Sequence, residues 1–249
     1  MRTHALALLL VPALLLATAC AELQRVDWGA VLDTSAPLSE DTAAAGLKQA
    51  LEIGTERAST TLSRAGGFAA SEALRLSLPR QLDGLARGLR TVGLGAQVDE
   101  LEAAMNRAAE RAAGEAVPVF AAAIRSMTLS DALGILRGPD DAATRYFRDA
   151  TSRELRSRFA PVVERAMAEV GVYDLYSSLV ARYEAIPFAV KPKAPRLEET
   201  VIDGALAGLW QTLASEEARI REDPAARTTA LLRRVFSEGA AERAAATSS

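Results

Sequence analysis

The sequence is poor in the side chains that most enzymes and metal proteins use. Among its 249 residues there is one histidine, His4, and one cysteine, Cys20, and both lie near the N-terminus. The chain beyond Cys20 therefore offers no Ser-His-acid triad, no Cys-His pair and no histidine ligand for zinc, copper or haem. A single cysteine also excludes an intramolecular disulfide. We predict no catalytic residue, no metal site and no cofactor, and only carboxylate, arginine, tyrosine and hydroxyl chemistry remains.

A strong charge of either sign is also missing. The net charge is −3 at pH 7, with 24% charged and 49% hydrophobic residues, a balance typical of a globular protein and not of a disordered one. A mildly acidic chain has no general electrostatic attraction for nucleic acid, so we expect no nucleic-acid partner.

The first residues have the layout of a secretory signal. Arg2 precedes an apolar run at residues 5–17, which is too short to span a bilayer comfortably. Residues 16–20 read Leu-Ala-Thr-Ala-Cys and resemble a bacterial lipobox, in which the cysteine is lipidated and becomes the first mature residue. We therefore predict a signal peptide at 1–19 and lipidation of Cys20. The alternative is a plain secretory signal with an incidental cysteine.

The resemblance to a lipobox also implies a location. Ala21 follows the cysteine, and in such lipoproteins a residue other than aspartate at this position favours the outer membrane. Each buried methylene adds about 0.8 kcal/mol to membrane binding, so several acyl chains anchor a protein durably. We expect an exported protein that is anchored to the outer membrane through Cys20 and faces the periplasm, with a lipidated N-terminus and tether at 20–38.

From Ser39 onward, apolar residues recur at helical spacing. Ser39 predicts a helix start because its hydroxyl can cap the first turn. Thr128 with Asp131 resembles a capping box, and Thr151 with Glu154 is a full one, so each pair predicts the start of a new helix.

Two segments interrupt the helical pattern. Pro118 lies inside a long apolar stripe at 97–127 and is expected to kink or divide that helix. Residues 73–79 alternate between apolar and polar side chains but have no second strand to pair with, so we expect an extended connector whose leucines pack on the core. The sequence thus predicts an all-α fold of about eight to ten helices in a single domain at 39–236, with a disordered tail at 237–249.

The densest polar cluster begins a predicted helix and consists of Asp140, Asp141, Arg145 and Tyr146. These side chains, joined by Asn106 if that residue is buried, form a candidate polar site. The alternative is a helix cap with an internal ion pair, and for Asn106 an exposed turn of helix. A second charged cluster, at 216–221, is interpreted as a solvated helix end.

Three tyrosines form a stripe at helical spacing, namely Tyr173, Tyr176 and Tyr183. A tyrosine ring has an apolar body and a polar tip, which suits a partly wet groove or a partner surface. The alternative is that the rings pack into the core and only the hydroxyls reach the surface.

Several motifs occur in a fixed order along the chain: AAGLKQAL at 44–51, MNRAAE at 105–110, SMT at 126–128 with DA at 131–132 and IL at 135–136, DAATRYF at 141–147 and LLRRVF at 231–236. Together they resemble the uncharacterised bacterial family called domain of unknown function 4197. The resemblance implies an exported, largely helical protein, often a lipoprotein, with no established activity and no catalytic residues. The segment at 203–209 departs from the family, which has a lysine and an acid where this chain has Gly204 and Ala207.

These observations favour a lipid-anchored periplasmic protein with a non-catalytic binding or envelope-support role. Its partners would be the membrane, through Cys20, and an envelope protein. One alternative is a carrier of an apolar or lipid ligand in an inter-helical cleft, suggested by the tyrosine stripe. A second alternative is a carboxylate-dependent enzyme that uses the Asp140 to Tyr146 cluster in a pocket.

Overall fold

The computed structural model describes residues 39–187, 196–223 and 229–236. Within these ranges the secondary structure is helical and contains no strand. The helices are α1 (Glu40–Ser63), α2 (Asp83–Thr91), α3 (Gly95–Ala113), α4 (Ala116–Ser126), α5 (Leu129–Arg137), α6 (Ala142–Glu169), α7 (Val172–Glu184), α8 (Leu197–Glu222) and the short α9 at residues 230–236. The all-α prediction and the expected number of helices are confirmed.

Several predictions concern segments outside the described residues. They are the signal peptide at 1–19, the lipidated tether at 20–38 with Cys20, and the tail at 237–249. The boundaries of a single domain at 39–236 also stay a prediction. Among the described residues, no single helix is long and apolar enough to cross a membrane, and only the bent pair Gly95–Ser126 with Leu129–Arg137 reaches that length and composition together.

The described residues group into two compact units. The first comprises Met127–Pro139 and the described parts of Met1–Ala50 and Ile220–Ser249; the second comprises Leu51–Ser126 and Asp140–Arg219. In the first unit, α1 and α9 approach closely at Gly46, where a Cβ atom would lie 2.7 Å from Val235 Cγ2. Glycine at position 46 thus lets the two helices approach more closely than a larger residue would. In the same unit, the guanidinium of the buried Arg221 donates a hydrogen bond to the carbonyl oxygen of Ile135 over 3.0 Å.

Two helix starts are those that the sequence predicts. The hydroxyl of Ser39 accepts a hydrogen bond from the amide of Thr42 at 3.2 Å. Thr128 and Asp131 form a complete capping box, in which the Asp131 amide donates to the Thr128 hydroxyl at 3.1 Å and the Thr128 amide to the Asp131 carboxylate at 2.9 Å. The Thr128 hydroxyl also donates to the Asp131 carboxylate at 2.7 Å. This bond, together with that of the Thr128 amide, lowers the pKa of Asp131 because both stabilise the ionised carboxylate.

The capping box predicted at Thr151 is wrong. The helix α6 runs without a break from Ala142 to Glu169. The buried hydroxyl of Thr151 donates to the carbonyl oxygen of Phe147, one turn earlier in the same helix. Since Phe147 and Leu155 are both buried on the same stripe, the continuous apolar face outweighs the local capping signal.

The predicted division near Pro118 is confirmed. Helix α3 ends at Ala113 and α4 begins at Ala116, so Pro118 lies in the first turn of α4. A proline costs little there because the first helical amides have no partner within the helix.

The core of the second unit forms around α3, which packs against α6 and α7, while α4 packs against α6. The alanines of α3 that face the core are fully buried and bring the helices close together. Three rings complete the packing: Phe120 meets Phe147 edge to face with centroids 5.1 Å apart and Trp210 at 5.9 Å. Such edge-to-face pairs add to the stabilisation that burial alone provides.

Candidate functional site

The chain between α1 and α2 crosses the second unit without regular secondary structure. We call residues 64–79 the strap. It passes through turns up to residue 74 and is extended at 75–79, which confirms the predicted connector over that stretch. Leu76 is buried, whereas Leu74 and Leu78 are half-buried. The extended backbone has no neighbouring strand, so its amide and carbonyl groups need other partners.

Those partners lie on one face of α3. Glu102, Asn106 and Glu110 are spaced four residues apart and therefore share a face of the helix; we call them the α3 ladder. Asn106 is only 1% exposed. Its Oδ1 accepts the Leu76 amide at 2.9 Å, and its Nδ2 donates to the Leu76 carbonyl at 2.8 Å. A single side chain thus satisfies both backbone groups of one strap residue, as a neighbouring strand would.

The two carboxylates of the ladder extend this pattern. Glu102 Oε1 accepts the amide of Leu78 at 3.1 Å, and Glu110 Oε1 accepts the amide of Phe68 at 3.4 Å. Glu110 is 6% exposed, and a carboxylate at such a position requires hydrogen-bond donors. The ladder therefore binds the strap along its length, through backbone groups only.

The strap side chains lie on α8, at two glycines one turn apart. A Cβ atom at Gly204 would lie 2.7 Å from Leu76 Cγ, and one at Gly208 would lie 2.5 Å from Phe68 Cε1. Only a residue without a side chain leaves room for these contacts. Gly204 is thus the position on which Leu76 packs.

A buried carboxylate also caps the start of α6. The carboxylate of Glu217 accepts the amides of Ala143 at 3.0 Å and Thr144 at 2.8 Å, and the Thr144 hydroxyl at 2.7 Å. Asp141 is the N-cap residue, yet its side chain makes no cap bond. Glu217 thus takes the place of a local cap, and the helix dipole stabilises its negative charge.

The interpretation of residues 216–221 as a solvated helix end is therefore wrong for two of them. Glu217 is 8% and Arg221 is 7% exposed. The physical reason is that unpaired amides at the start of α6 attract a carboxylate from α8, which local sequence cannot indicate.

The Asp140 to Tyr146 cluster lies at the surface of the second unit. Asp140 is exposed, and the Asp141 carboxylate pairs with Arg145 Nε at 2.8 Å, with the two side chains 47% and 65% exposed. The half-buried Tyr146 donates a long hydrogen bond of 3.5 Å to the carbonyl of Ala123. None of the hydrogen bonds of Asn106 goes to this cluster; they go to Leu76 and to the backbone of Glu102.

Tyr173 is the most exposed member of the tyrosine stripe, at 36%. Partial burial raises its pKa to about 12, helped by a hydrogen bond to Glu198 and by the negative charges of Glu198 and Glu164. All three effects disfavour the phenolate. The phenol therefore stays protonated at neutral pH.

The other two tyrosines are half-buried. Burial raises the pKa of Tyr176. Tyr183 packs on α2, where a Cβ atom at Gly88 would lie 2.7 Å from its ring carbon Cε2. Tyr183 is thus packed against a helix, whereas Tyr173 lies at the surface.

Metal ligation has no candidate among the residues that the structure describes, since no group of three or more His, Cys, Asp or Glu side chains is arranged to hold an ion.

The family model described as Protein of unknown function (DUF4197) matches residues 37–237. The chain belongs to this family. The match spans α1 to α9, so the DUF4197 region includes the strap, the α3 ladder and Glu217. No curated protein and no solved structure matches the chain significantly.

Two motifs behind the family resemblance carry the buried polar contacts. The motif at 105–110 contains Asn106 and Glu110, and the motif at 141–147 contains the Ala143 and Thr144 amides that Glu217 caps. Sequence reasoning missed the roles of Glu102 and Glu110 and misinterpreted Glu217 as solvated. Glu102, Asn106 and Glu110 follow one another at intervals of four residues beside an apolar stripe, and this spacing is the signal that could have indicated the ladder.

Proposed function

We propose that this DUF4197 protein is a lipid-anchored periplasmic protein with a non-catalytic binding or envelope-support role. The observation that carries the non-catalytic part is the destination of the buried polar groups. Asn106, Glu110 and Glu217 all hydrogen-bond to backbone groups of their own chain. The hydrogen-bonding groups of these side chains are thus engaged by the fold itself and are not presented to a substrate.

The anchor is supported by the sequence of residues 16–20 and by the position of Cys20 ahead of α1. The test is metabolic labelling of the full chain with a palmitate analogue in a Gram-negative host. We expect labelled wild type, an unlabelled precursor for Cys20→Ser, and normal labelling for the matched variant Thr18→Ser. Mass spectrometry that places the mature N-terminus elsewhere than at Cys20, or unlabelled wild type, would contradict the proposal.

The choice of membrane has its own variant. Fractionation of inner and outer membranes should recover the wild type in the outer fraction and Ala21→Asp in the inner one. Equal distribution of the two proteins would contradict the assignment to the outer membrane.

The binding role is tested by photo-crosslinking in intact cells. A photoreactive residue replaces Tyr173 or Val92, which are among the exposed large apolar side chains, and Arg145 serves as an exposed polar control. We expect adducts with a discrete envelope protein from at least one apolar position and none from position 145. Absence of any adduct, self-crosslinks included, would contradict the role.

A carrier of an apolar ligand is the second candidate, and it is favoured by Tyr176, which is half-buried and whose pKa is raised by burial. Native mass spectrometry of the protein extracted from membranes should then show a bound lipid beyond the anchor. Loss of that lipid in Tyr176→Asp, but not in Asp141→Asn, would identify the stripe as its site.

A further inference from the structure

The strap is attached unevenly. Its first part contains the fully buried Phe68 and is closed by its own turns, including the Ala70 amide to the Gly66 carbonyl. Beyond residue 71, Leu76 is the only buried side chain, and Glu72, Arg75 and Ser77 are exposed. Within the strap, Arg75 Nε donates to the Ala69 carbonyl at 3.0 Å and the Arg75 amide to the Ser71 carbonyl at 2.8 Å. The later part of the strap is attached to the helices by the buried Leu76, by the half-buried Leu74 and Leu78, and by the hydrogen bonds of Asn106 and Glu102.

The surface beneath this part recognises backbone. Asn106 binds the amide and the carbonyl of residue 76 and touches no strap side chain through a hydrogen bond. Glu102 binds the amide of residue 78. The amides of residues 76 and 78 are two residues apart, so on an extended chain they point to the same side. The contacts with Asn106 and Glu102 therefore fit any extended segment. Specificity comes only from the space above Gly204, which admits a leucine.

A segment that is bound by few contacts opens more readily than the core around it. An extended peptide bound to a sheet edge uses the same kind of contact, with main-chain bonds for affinity and a pocket at alternate residues for specificity. The strap offers such a pattern itself, because Leu74, Leu76 and Leu78 alternate with polar residues.

We propose that residues 71–79 open as one unit and that the groove between α3 and α8, defined by Glu102, Asn106 and Gly204, binds an extended peptide segment of another envelope protein. The segment carries a leucine-sized apolar residue at the position of Leu76, with polar residues on either side. The inference rests on the proposed binding role and specifies its partner. The strap then acts as an internal competitor, so the apparent affinity scales with the open fraction.

The first test is hydrogen exchange on the wild-type full chain in detergent micelles. The amides of Leu76 and Leu78 should exchange about tenfold or more faster than the buried Met105 amide of α3, because they open without global unfolding. Exchange of all three amides at a single rate, set by global unfolding, would overturn the proposal.

The second test uses a fluorescent peptide with the sequence of residues 71–79, SEALRLSLP. The variant Leu76→Ser removes the apolar contact and should bind this peptide about tenfold or more tightly than the wild type does. Leu74→Ser, a change in the half-buried neighbour, should bind like the wild type. A peptide N-methylated at the residue equivalent to Leu76 lacks the amide that Asn106 binds and should bind about tenfold more weakly.

Three results would overturn the proposal: no peptide binding to a cooperatively folded Leu76→Ser variant, equal binding of the N-methylated peptide, or dimers of the variant in place of peptide binding. If Leu76→Ser does not fold, the exchange rates of the wild type decide. These measurements do not depend on Cys20. If crosslinks form in cells but the peptide does not bind, only the proposal of a peptide-binding groove is overturned. If Cys20 is not lipidated, that proposal still stands.

Discussion

The α3 ladder and the Asp140 to Tyr146 cluster belong to the same unit and have similar polar composition, but they make opposite kinds of contact. In the ladder, the buried Asn106 and Glu110 and the half-buried Glu102 bind backbone amides of the strap. In the cluster, Asp141 and Arg145 bind each other at the surface. A dense run of charges therefore marks the energetically weaker region, and the isolated asparagine marks the stronger one.

The reason is the role of water. A buried amide or carbonyl that loses its partner keeps its full desolvation cost, about 1–3 kcal/mol for each group. At the surface, water replaces a lost partner, so an exposed ion pair contributes about 0–1 kcal/mol. The contrast between the two regions predicts a ranked set of mutational effects.

The largest effect is expected for Asn106→Ala. It leaves the amide and the carbonyl of Leu76 without partners, which should lower the free energy of unfolding by about 3 kcal/mol. The matched control is Arg107→Ala, the exposed next residue on α3, with a change within about 0.5 kcal/mol. Equilibrium urea unfolding measures both. Equal effects would remove the distinction between the two regions.

Glu217→Gln comes next. The amide oxygen of glutamine can still accept one bond, but the charge that stabilises the start of α6 is lost, so we expect about 2 kcal/mol of destabilisation. Glu222→Gln, the same change at an exposed position of α8, should be close to neutral. Urea unfolding of both variants checks this, and a neutral Glu217→Gln would show that the buried cap contributes little.

The tyrosine stripe provides a third, smaller contrast. In Gly88→Ala the new Cβ atom would lie 2.7 Å from the Tyr183 ring, whereas in Gly84→Ala it would lie 3.8 Å from the Tyr183 hydroxyl. We expect a loss of about 1 kcal/mol for the first variant and no loss, or a small gain, for the second, because alanine favours helix. Thermal unfolding followed by circular dichroism measures the pair. If both variants were stabilised, Tyr183 would not be packed against α2.

The Asp141 and Arg145 pair should couple weakly. A double-mutant cycle with Asp141→Ala and Arg145→Ala should give a coupling energy below about 0.5 kcal/mol, and one that shrinks in high salt. A coupling energy above about 2 kcal/mol would contradict the interpretation of this pair as a weak surface ion pair.

The last effect appears only at alkaline pH. The pKa of Tyr173 is raised to about 12, so between its ordinary pKa of about 10 and 12 the unfolded chain loses this proton while the folded chain keeps it. Stability should therefore fall as the pH rises through this window, and Tyr173→Phe should flatten that fall. Absorbance titration of the phenols should place one tyrosine near 12 and lower its midpoint in Glu198→Gln. An unchanged midpoint would contradict the contact with Glu198.

The helix starts show how far sequence reasoning reaches. Ser39 and the pair of Thr128 with Asp131 start helices as the sequence predicts, because in each case the donor and the acceptor lie three residues apart, within one turn. Thr151 with Glu154 has the same pattern but starts no helix, because the buried stripe of α6 continues through this position. Local capping signals thus hold only where the apolar periodicity does not contradict them.

The helical fold, the break before Pro118, the extended connector and the family follow from amino-acid order, because each depends on periodicity, backbone restrictions or ordered motifs along the chain. The roles of Asn106 and Glu217 do not. Asn106 binds a backbone 30 residues away, and Glu217 caps a helix that starts more than 70 residues earlier. Whether such a side chain meets water or an unpaired amide depends on how distant segments pack, and so these contacts appear only once the helices are in place.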